Sequence, residues 1–265
     1  MKTICLFSSF FIQNKIPLYI KLYLEELRRH FDELVFITNQ KELDFSEIID
    51  LKNRDIRIEF VENEGYDFGM WYKILTKLDV GKYSRIGLVN DSCVLFRKLD
   101  RFFQWVNETN LDYCGLIDSN ELSYHIQSYF IIINCPALIS LQNYFLEHGV
   151  INDKVQVIHS YEIGLSKFMN QQGYKLGAFF SCFKYSGDKN INILLHKVPE
   201  LVIDGLPIAK RQTVLNFLLL KKTIIFNWLP KIRQVNRILA SENINFKDFF
   251  PKSKKPVNQK RIVLK

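Results

Sequence analysis

No uncharged apolar run in this chain approaches the roughly 20 residues that a bilayer-crossing helix needs. Cysteine is sparse: Cys5, Cys93, Cys114, Cys135 and Cys182 are scattered, mostly inside apolar runs, and no two form a CxxC pair. They read as buried thiols in a reducing compartment. Glycine (11) and proline (7) are too few for a linker or a low-complexity chain, and no internal repeat is present.

What is abundant is core-forming material. Hydrophobic residues make up 48% of 265 and aromatics 14%, which is globular composition and excludes disorder. The length fits one large domain, or one domain with a small appendage. The opening MKTICLFSSFF is superficially similar to a signal peptide. Its apolar run is short, Ser8-Ser9 interrupts it and no small-residue cleavage site follows, so it is expected to be a first core strand. The net charge of +8 is unevenly placed: Ile208 to Lys265 holds 14 Lys/Arg against Glu242 and Asp248, or +12, which leaves −4 elsewhere. Such a basic segment can meet anionic lipid, nucleic acid or only solvent.

Lys2 to Phe11 reads as a buried strand, Pro17 to Phe31 as a helix entered through proline, and Glu33 to Thr38 as a second strand. Strand, helix, strand implies parallel pairing. Ile56 to Val61 continues the pattern, followed by a helix from about Phe68 to Leu78 and a strand-like run from Arg85 to Phe96. Beyond a helix near Leu99 to Val106, strands are expected at Leu111 to Ile117, Tyr129 to Asn134 and Tyr174 to Phe180. Helices are expected at Leu138 to Phe145 and Tyr161 to Gln171, the latter stopped by Gly173. The remainder reads as helical and basic, punctuated by Pro207, Pro230, Pro251 and Pro256.

Two interruptions carry chemistry. Asn63-Glu64-Gly65-Tyr66-Asp67-Phe68-Gly69-Met70-Trp71-Tyr72 joins a strand-like run to a helix-like one, with two glycines and one carboxylate among aromatics. It is either a ligand-binding turn or a tight turn capped by Asp67. In RIGLVNDSCVLF, Asn90-Asp91-Ser92 breaks an apolar core. The break is either a strand end turning into a loop or, the reading favoured here, a ligand set at the carboxyl edge of the sheet, where open α/β folds place their sites.

NEGYDFGMW, LVNDSCVLF, YHIQSYFIIIN, HSYEIGLSKFMNQQGYKL and DGLPIAKRQTVLN occur in the order in which similar segments occur in the rhamnan synthesis F family of bacterial polysaccharide glycosyltransferases. The resemblance covers roughly Lys2 to Asn216. It implies an α/β, GT-A-like fold: a Rossmann-type mixed sheet flanked by helices over 1–207, with a helical basic C-terminal extension over 208–265. By the same resemblance LVNDSCVLF matches a strand ending in Asp-x-Asp, which holds a divalent metal on the sugar diphosphate. Here Asn90 and Ser92 stand at the matching positions, with Asp91 between them. One carboxylate makes a weak site for a hard cation. Either Asp91 holds Mg or Mn largely through water and phosphate, with His196 as a further ligand or a merely structural histidine, or transfer needs no metal.

HSYEIGLSKFMNQQGYKL resembles the segment in which an acidic residue opens the helix under the acceptor and serves as base, here Glu162. Inversion at an anomeric carbon needs such a base on the acceptor hydroxyl. The other account of Glu162 is a favourable charge at a helix start. Asp118 and Glu121 are reserve bases. Tyr124, His125, Gln127 and Ser128 match contacts to acceptor or donor sugar, or else tie down a loop. Asn63, Gly65 and Asp67, with Asn90, Asp91 and Ser92, are assigned to the donor. Ser8, Ser9 and Asn39 are placed near its base and ribose by the switch-point rule.

The resemblance thus implies transfer of one sugar, rhamnose by the family's name, from a dTDP-, UDP- or GDP-linked donor to a glycan or lipid-linked acceptor of a bacterial surface polysaccharide. The place expected is the cytoplasm or the inner face of the cytoplasmic membrane. There Val214 to Leu229 and the tail from Lys252 to Lys265 would meet anionic lipid, unless they close the core and face solvent. A non-catalytic glycan-assembly subunit with a degenerate donor site is the rival. A nucleic-acid partner is not expected, since the basic residues are confined to the C-terminal part and no recognised binding motif is present.

Overall fold

A computed structural model gives the structure of residues 1–187, 190–212 and 237. Its centre is four strands, β1 (Lys2–Ser9), β2 (Glu33–Thr38), β3 (Ile56–Phe60) and β4 (Tyr83–Asn90). In β1, Ile4 and Leu6 belong to one apolar cluster and Cys5 and Phe7 to the other, all fully buried, as expected of a strand covered on both faces. β1 pairs in parallel with β2 and β4, and β2 with β3. Parallel pairing needs crossovers, which α1 (Leu18–Arg28), α2 (Phe45–Asn53) and α3 (Tyr66–Leu75) supply. Pro17 caps α1, where its fixed φ and missing N–H cost nothing. Tyr23, Leu24 and Leu27 of α1 pack with Phe102 and Phe103 of α4 (Asp100–Glu108) on the Phe7 face. On the Leu6 face lie Phe68 and Trp71 of α3 with Leu141 and Phe145 of α5 (Leu138–His148).

The second half reverses direction. It contributes β5 (Cys93–Leu95), β6 (Tyr113–Ser119), β7 (His125–Ile126), β8 (Phe130–Asn134), β9 (Leu176–Phe180) and β10 (Ile208–Lys210). The main sheet runs β3-β2-β1-β4-β8-β6-β7, with β9 on β6. β8 is antiparallel to both β4 and β6, and β9 is parallel to β6. β6 and β9 therefore run the same way as β1 to β4. The carboxyl ends of β1, β2, β4, β6 and β9 and the amino end of β8 line one edge of an α/β mixed sheet flanked by helices.

The strand expected from Arg85 to Phe96 is two strands in two sheets. The Asn90 side-chain oxygen accepts hydrogen bonds from the Ser92 N–H (3.1 Å) and hydroxyl, and this turn sends β5 away from β4 to pair with β10. The segment from Ile208, expected to be helical and separate from the first 207 residues, opens instead as β10. Ile208, Ala209 and Lys210 pair with Leu95, Val94 and Cys93, so a boundary at 207 cuts through a packed pair of strands. The stretches 214–229 and 252–265, expected to meet a membrane, lie outside the described residues. Among the described residues no helix is long and apolar enough to cross a membrane.

Candidate functional site

Ser8 and Ser9, at the end of β1, are fully buried, and each hydroxyl donates to a carboxylate: Ser8 to Asp67 Oδ1 at 3.0 Å and Ser9 to Asp91 Oδ2 at 2.9 Å. The Asp91 N–H bonds the Ser8 carbonyl at 3.2 Å, which sets the two strand ends side by side. Asn39 follows β2 on the same edge, and its side-chain oxygen is buried without a hydrogen-bond partner among the described residues. The opposite edge has a cavity of about 430 Å³ lined by Lys2, Glu33 and Arg57. There Lys2 pairs with Glu33 at 2.9 Å and Arg57 with Glu59 at 3.3 Å, and Lys52 also lines the wall.

Asp67 enters the carboxyl edge from the first turn of α3. Gly65 stands before it with φ +72° and Tyr66 with φ +56°, so the chain turns through two left-handed residues. A Cβ on Gly65 would lie 2.8 Å from Val150, and one on Gly69 1.8 Å from the Glu64 carbonyl oxygen. The Gly65 N–H is donated to Asn152 at 2.8 Å. These glycines therefore let the backbone close on itself, and Gly65 does not hold its amide out to the cleft as a donor contact would. Asn63 is exposed on the approach. Burial pushes the Asp67 carboxyl up to about 7, helped by the negative charges of Asp91 and Glu162 and opposed by the Ser8 hydrogen bond.

Glu162 does not open a helix. One helical run begins at α6 (Lys154–Val157), capped by Asp153 accepting from the Gln156 N–H at 2.9 Å, and continues through a π-helical turn, Ile158–Ile163, into α7 (Gly164–Gln171). Glu162 lies inside that π turn, far from the helix start, so a favourable charge on the helix dipole does not account for it. Inserted π turns re-aim a side chain, and this one packs against β7 and aims Glu162 at the turn that leads from β7 to β8. The Ser128 hydroxyl donates to Glu162 Oε1 at 3.1 Å and its N–H reaches the same oxygen at 3.4 Å. The Ser128 carbonyl accepts from Asn90 Nδ2 at 3.3 Å. A chain of contacts thus joins the end of β4 to Glu162.

The other expected residues fall into a second group. Asp118 is 2% exposed and accepts from the Cys182 N–H at the start of α8 (Cys182–Ser186) and from Tyr124, whose ring stacks on Phe183 at 6.1 Å. That carboxylate ties β6 to α8. Glu121 is exposed, and its N–H bonds the Ser119 hydroxyl at 3.1 Å. His125 is buried and donates from Nδ1 to the Ser123 carbonyl at 2.8 Å, a loop tie. Gln127 is 2% exposed and its Oε1 has no partner among the described residues, so it keeps an open acceptor.

Two residues that sequence reasoning did not single out complete the edge. Asp91 Oδ2 accepts from Tyr19 OH at 3.3 Å and from Arg211 Nη1 at 3.1 Å, besides Ser9. Oδ2 thus takes three donors and leaves Oδ1 without one among the described residues; burial pushes the Asp91 carboxyl up, and Arg211, Ser9 and Tyr19 act against that rise. Burial also works against the Arg211 charge, but Asp91 and Tyr19 outweigh it and hold its pKa above the usual value. This ion pair decides whether the residues fit a divalent cation. A divalent ion on Asp91 would have to share that one carboxylate with the Arg211 guanidinium, whose like charge repels it. Asn90 and Ser92 offer no compensating charge and are bonded to each other. His196 is exposed at the end of a short helix, Ile193–His196. Among the described residues the group whose side chains come close enough to share a metal is Glu26, His30 and Asp100, and Arg29 bonds both of its carboxylates. The donor set at Asp91 does not fit a metal.

The model of the family described as rhamnan synthesis protein F matches residues 34–240. The virulence protein VirA of Vibrio anguillarum is 32% identical over 124 residues, 43% of this chain and 39% of that protein, so the match spans about two fifths of the relative's length. Among solved structures, the glycosyltransferase GlyE of Streptococcus pneumoniae TIGR4 is similar over 97% of this chain and 66% of its own, at 11% identity and a TM-score of 0.44. The S. aureus TarS fragment 1-349 is similar over 91% of this chain and 81% of its own, at 12% identity and a TM-score of 0.41. With its model matched along most of the sequence, the chain belongs to the rhamnan synthesis protein F family.

Proposed function

We propose that the chain is a glycosyltransferase that moves one sugar, rhamnose by the family's description, from a nucleotide-diphosphate donor to a glycan or lipid-linked acceptor of a surface polysaccharide. The observation that carries this reading is the meeting of Asp67, Asp91 and Glu162 at one sheet edge, with Glu162 held by Ser128. The nucleoside would lie across the ends of β1 and β2, against Ser8, Ser9 and Asn39, with Asp67 bonding a donor hydroxyl. Glu162 would take the proton of the acceptor hydroxyl as that oxygen bonds the anomeric carbon from the far side. The C–O bond to the diphosphate breaks with its electron pair leaving on phosphate, so the product is inverted.

One observation favours a second reading, a subunit that no longer transfers: Asp91 already holds a cation of its own chain. Calorimetry with dTDP-, UDP- and GDP-sugars, followed by an assay for nucleoside diphosphate release, separates the two. Transfer requires that one donor bind and turn over, slowly with water and faster with acceptor. Binding without release supports the subunit. Failure of every donor to bind at millimolar concentration would sink both.

A further inference from the structure

The end of β4 has the place of a metal-diphosphate site but not its donor set, and the cation it does hold comes from the far end of the described chain. We propose, resting on the nucleotide-sugar reading above, that the Arg211 guanidinium receives the donor diphosphate directly and that transfer runs without a divalent metal.

Arg211 is a built part of the edge. Its N–H bonds the Ser92 carbonyl at 2.9 Å, continuing the pairing of β10 with β5, so the backbone is fixed beside the Asn90-Asp91-Ser92 turn. Its Nη1 bonds Tyr19 OH, Asp91 Oδ2 at 3.1 Å and the Asp91 carbonyl at 3.4 Å, and its guanidinium stands 5.5 Å from the Tyr19 ring centroid. All of these hydrogen bonds leave from one of its three nitrogens. A guanidinium carries five N–H donors in a fixed fork, so among the described residues the Nε and Nη2 side keeps donors for a bidentate anion. Exposure runs the same way: the Arg211 side chain is 36% accessible and the Asp91 side chain 10%. Asp91 thus acts from behind. It orients the guanidinium and holds it charged, and the guanidinium is the more exposed member of the pair. Diphosphate oxygens match that fork, and a leaving diphosphate needs a positive charge fixed in advance of the reaction.

The test titrates the full-length chain with dTDP, UDP and GDP by calorimetry, and with the matching nucleosides by ligand-observed NMR, first in EDTA and then with Mn²⁺. The expected result is that one nucleoside diphosphate binds in EDTA and that Mn²⁺ changes its affinity less than twofold. Arg211→Gln should weaken that diphosphate tenfold or more while shifting the nucleoside less than twofold. Arg211→Lys, which keeps the charge and loses the fork, should fall between. A tenfold gain on adding Mn²⁺ overturns the proposal and leaves the nucleotide site standing. Equal losses for nucleoside and diphosphate in Arg211→Gln overturn it too, since they mark a structural role. Should Arg211→Gln fail to fold, an unchanged diphosphate affinity in Arg211→Lys has the same force. If the unaltered chain binds no nucleotide with or without Mn²⁺, the donor site itself is wrong and the proposal falls with it.

Discussion

Replacing Asp67 by asparagine removes a carboxyl that the fold holds in an unfavourable state at neutral pH. Its pKa is pushed from an ordinary aspartate value to about 7 by burial first, then by Asp91, with Glu162 adding to it. In the unfolded chain the same carboxyl titrates near ~3.9. Because the folded value is the higher one, the carboxyl's contribution to stability is fully present below about pH 4 and is lost as pH rises through 7. The shift of roughly three units corresponds to ~4 kcal/mol, and the partial exposure of Asp67 screens this to about 2. The substituted amide does not titrate and keeps the shape, including an oxygen for the Ser8 hydroxyl. In urea denaturation the stability of Asp67→Asn relative to the unaltered chain should rise by about 2 kcal/mol between pH 4.5 and pH 8, then flatten. A relative stability that is the same at both pH values would refute the carboxylate cluster as drawn.

Glu162→Gln should lower transfer by about 10²- to 10⁴-fold while leaving donor affinity within twofold, and near-normal turnover would remove it as base. Asp118→Asn should cost about 1–3 kcal/mol in denaturant, through the Cys182 and Tyr124 bonds, and leave turnover within a few-fold; a loss matching that of Glu162→Gln would instead make Asp118 the base. Gly69→Ala should destabilise by about 3 kcal/mol or more, or prevent folding, because its Cβ would lie 1.8 Å from the Glu64 carbonyl oxygen; a thermal midpoint within a degree or two of the unaltered chain would contradict that packing.

The parallel half was legible because its strands are short apolar runs closed by polar residues, and Glu33–Thr38 matches its expected bounds residue for residue. The helix Phe45–Asn53 was not legible, since it buries only Glu47 and Leu51 and leaves Phe45 and Ile49 exposed, which blurs its periodicity. The break at Asn90-Asp91-Ser92 was visible, but its consequence was not. That β5 leaves the sheet depends on pairing with a strand more than 110 residues later. Arg211 was missed for the same reason: it stands in an ordinary basic stretch, and only the β10–β5 pairing brings it to Asp91. Glu162 was singled out only through the resemblance, and the π turn that aims it at Ser128 leaves no mark in the residue pattern.

A crystal structure of the full-length chain soaked with the nucleoside diphosphate that binds most tightly is the most direct measurement. The account predicts density across the ends of β1, β2 and β4, with the base near Asn39, the diphosphate between Ser9 and Arg211, and Glu162 facing the vacant sugar position. Density in the cavity at the amino edge, beside Lys2, Glu33 and Arg57, would contradict it.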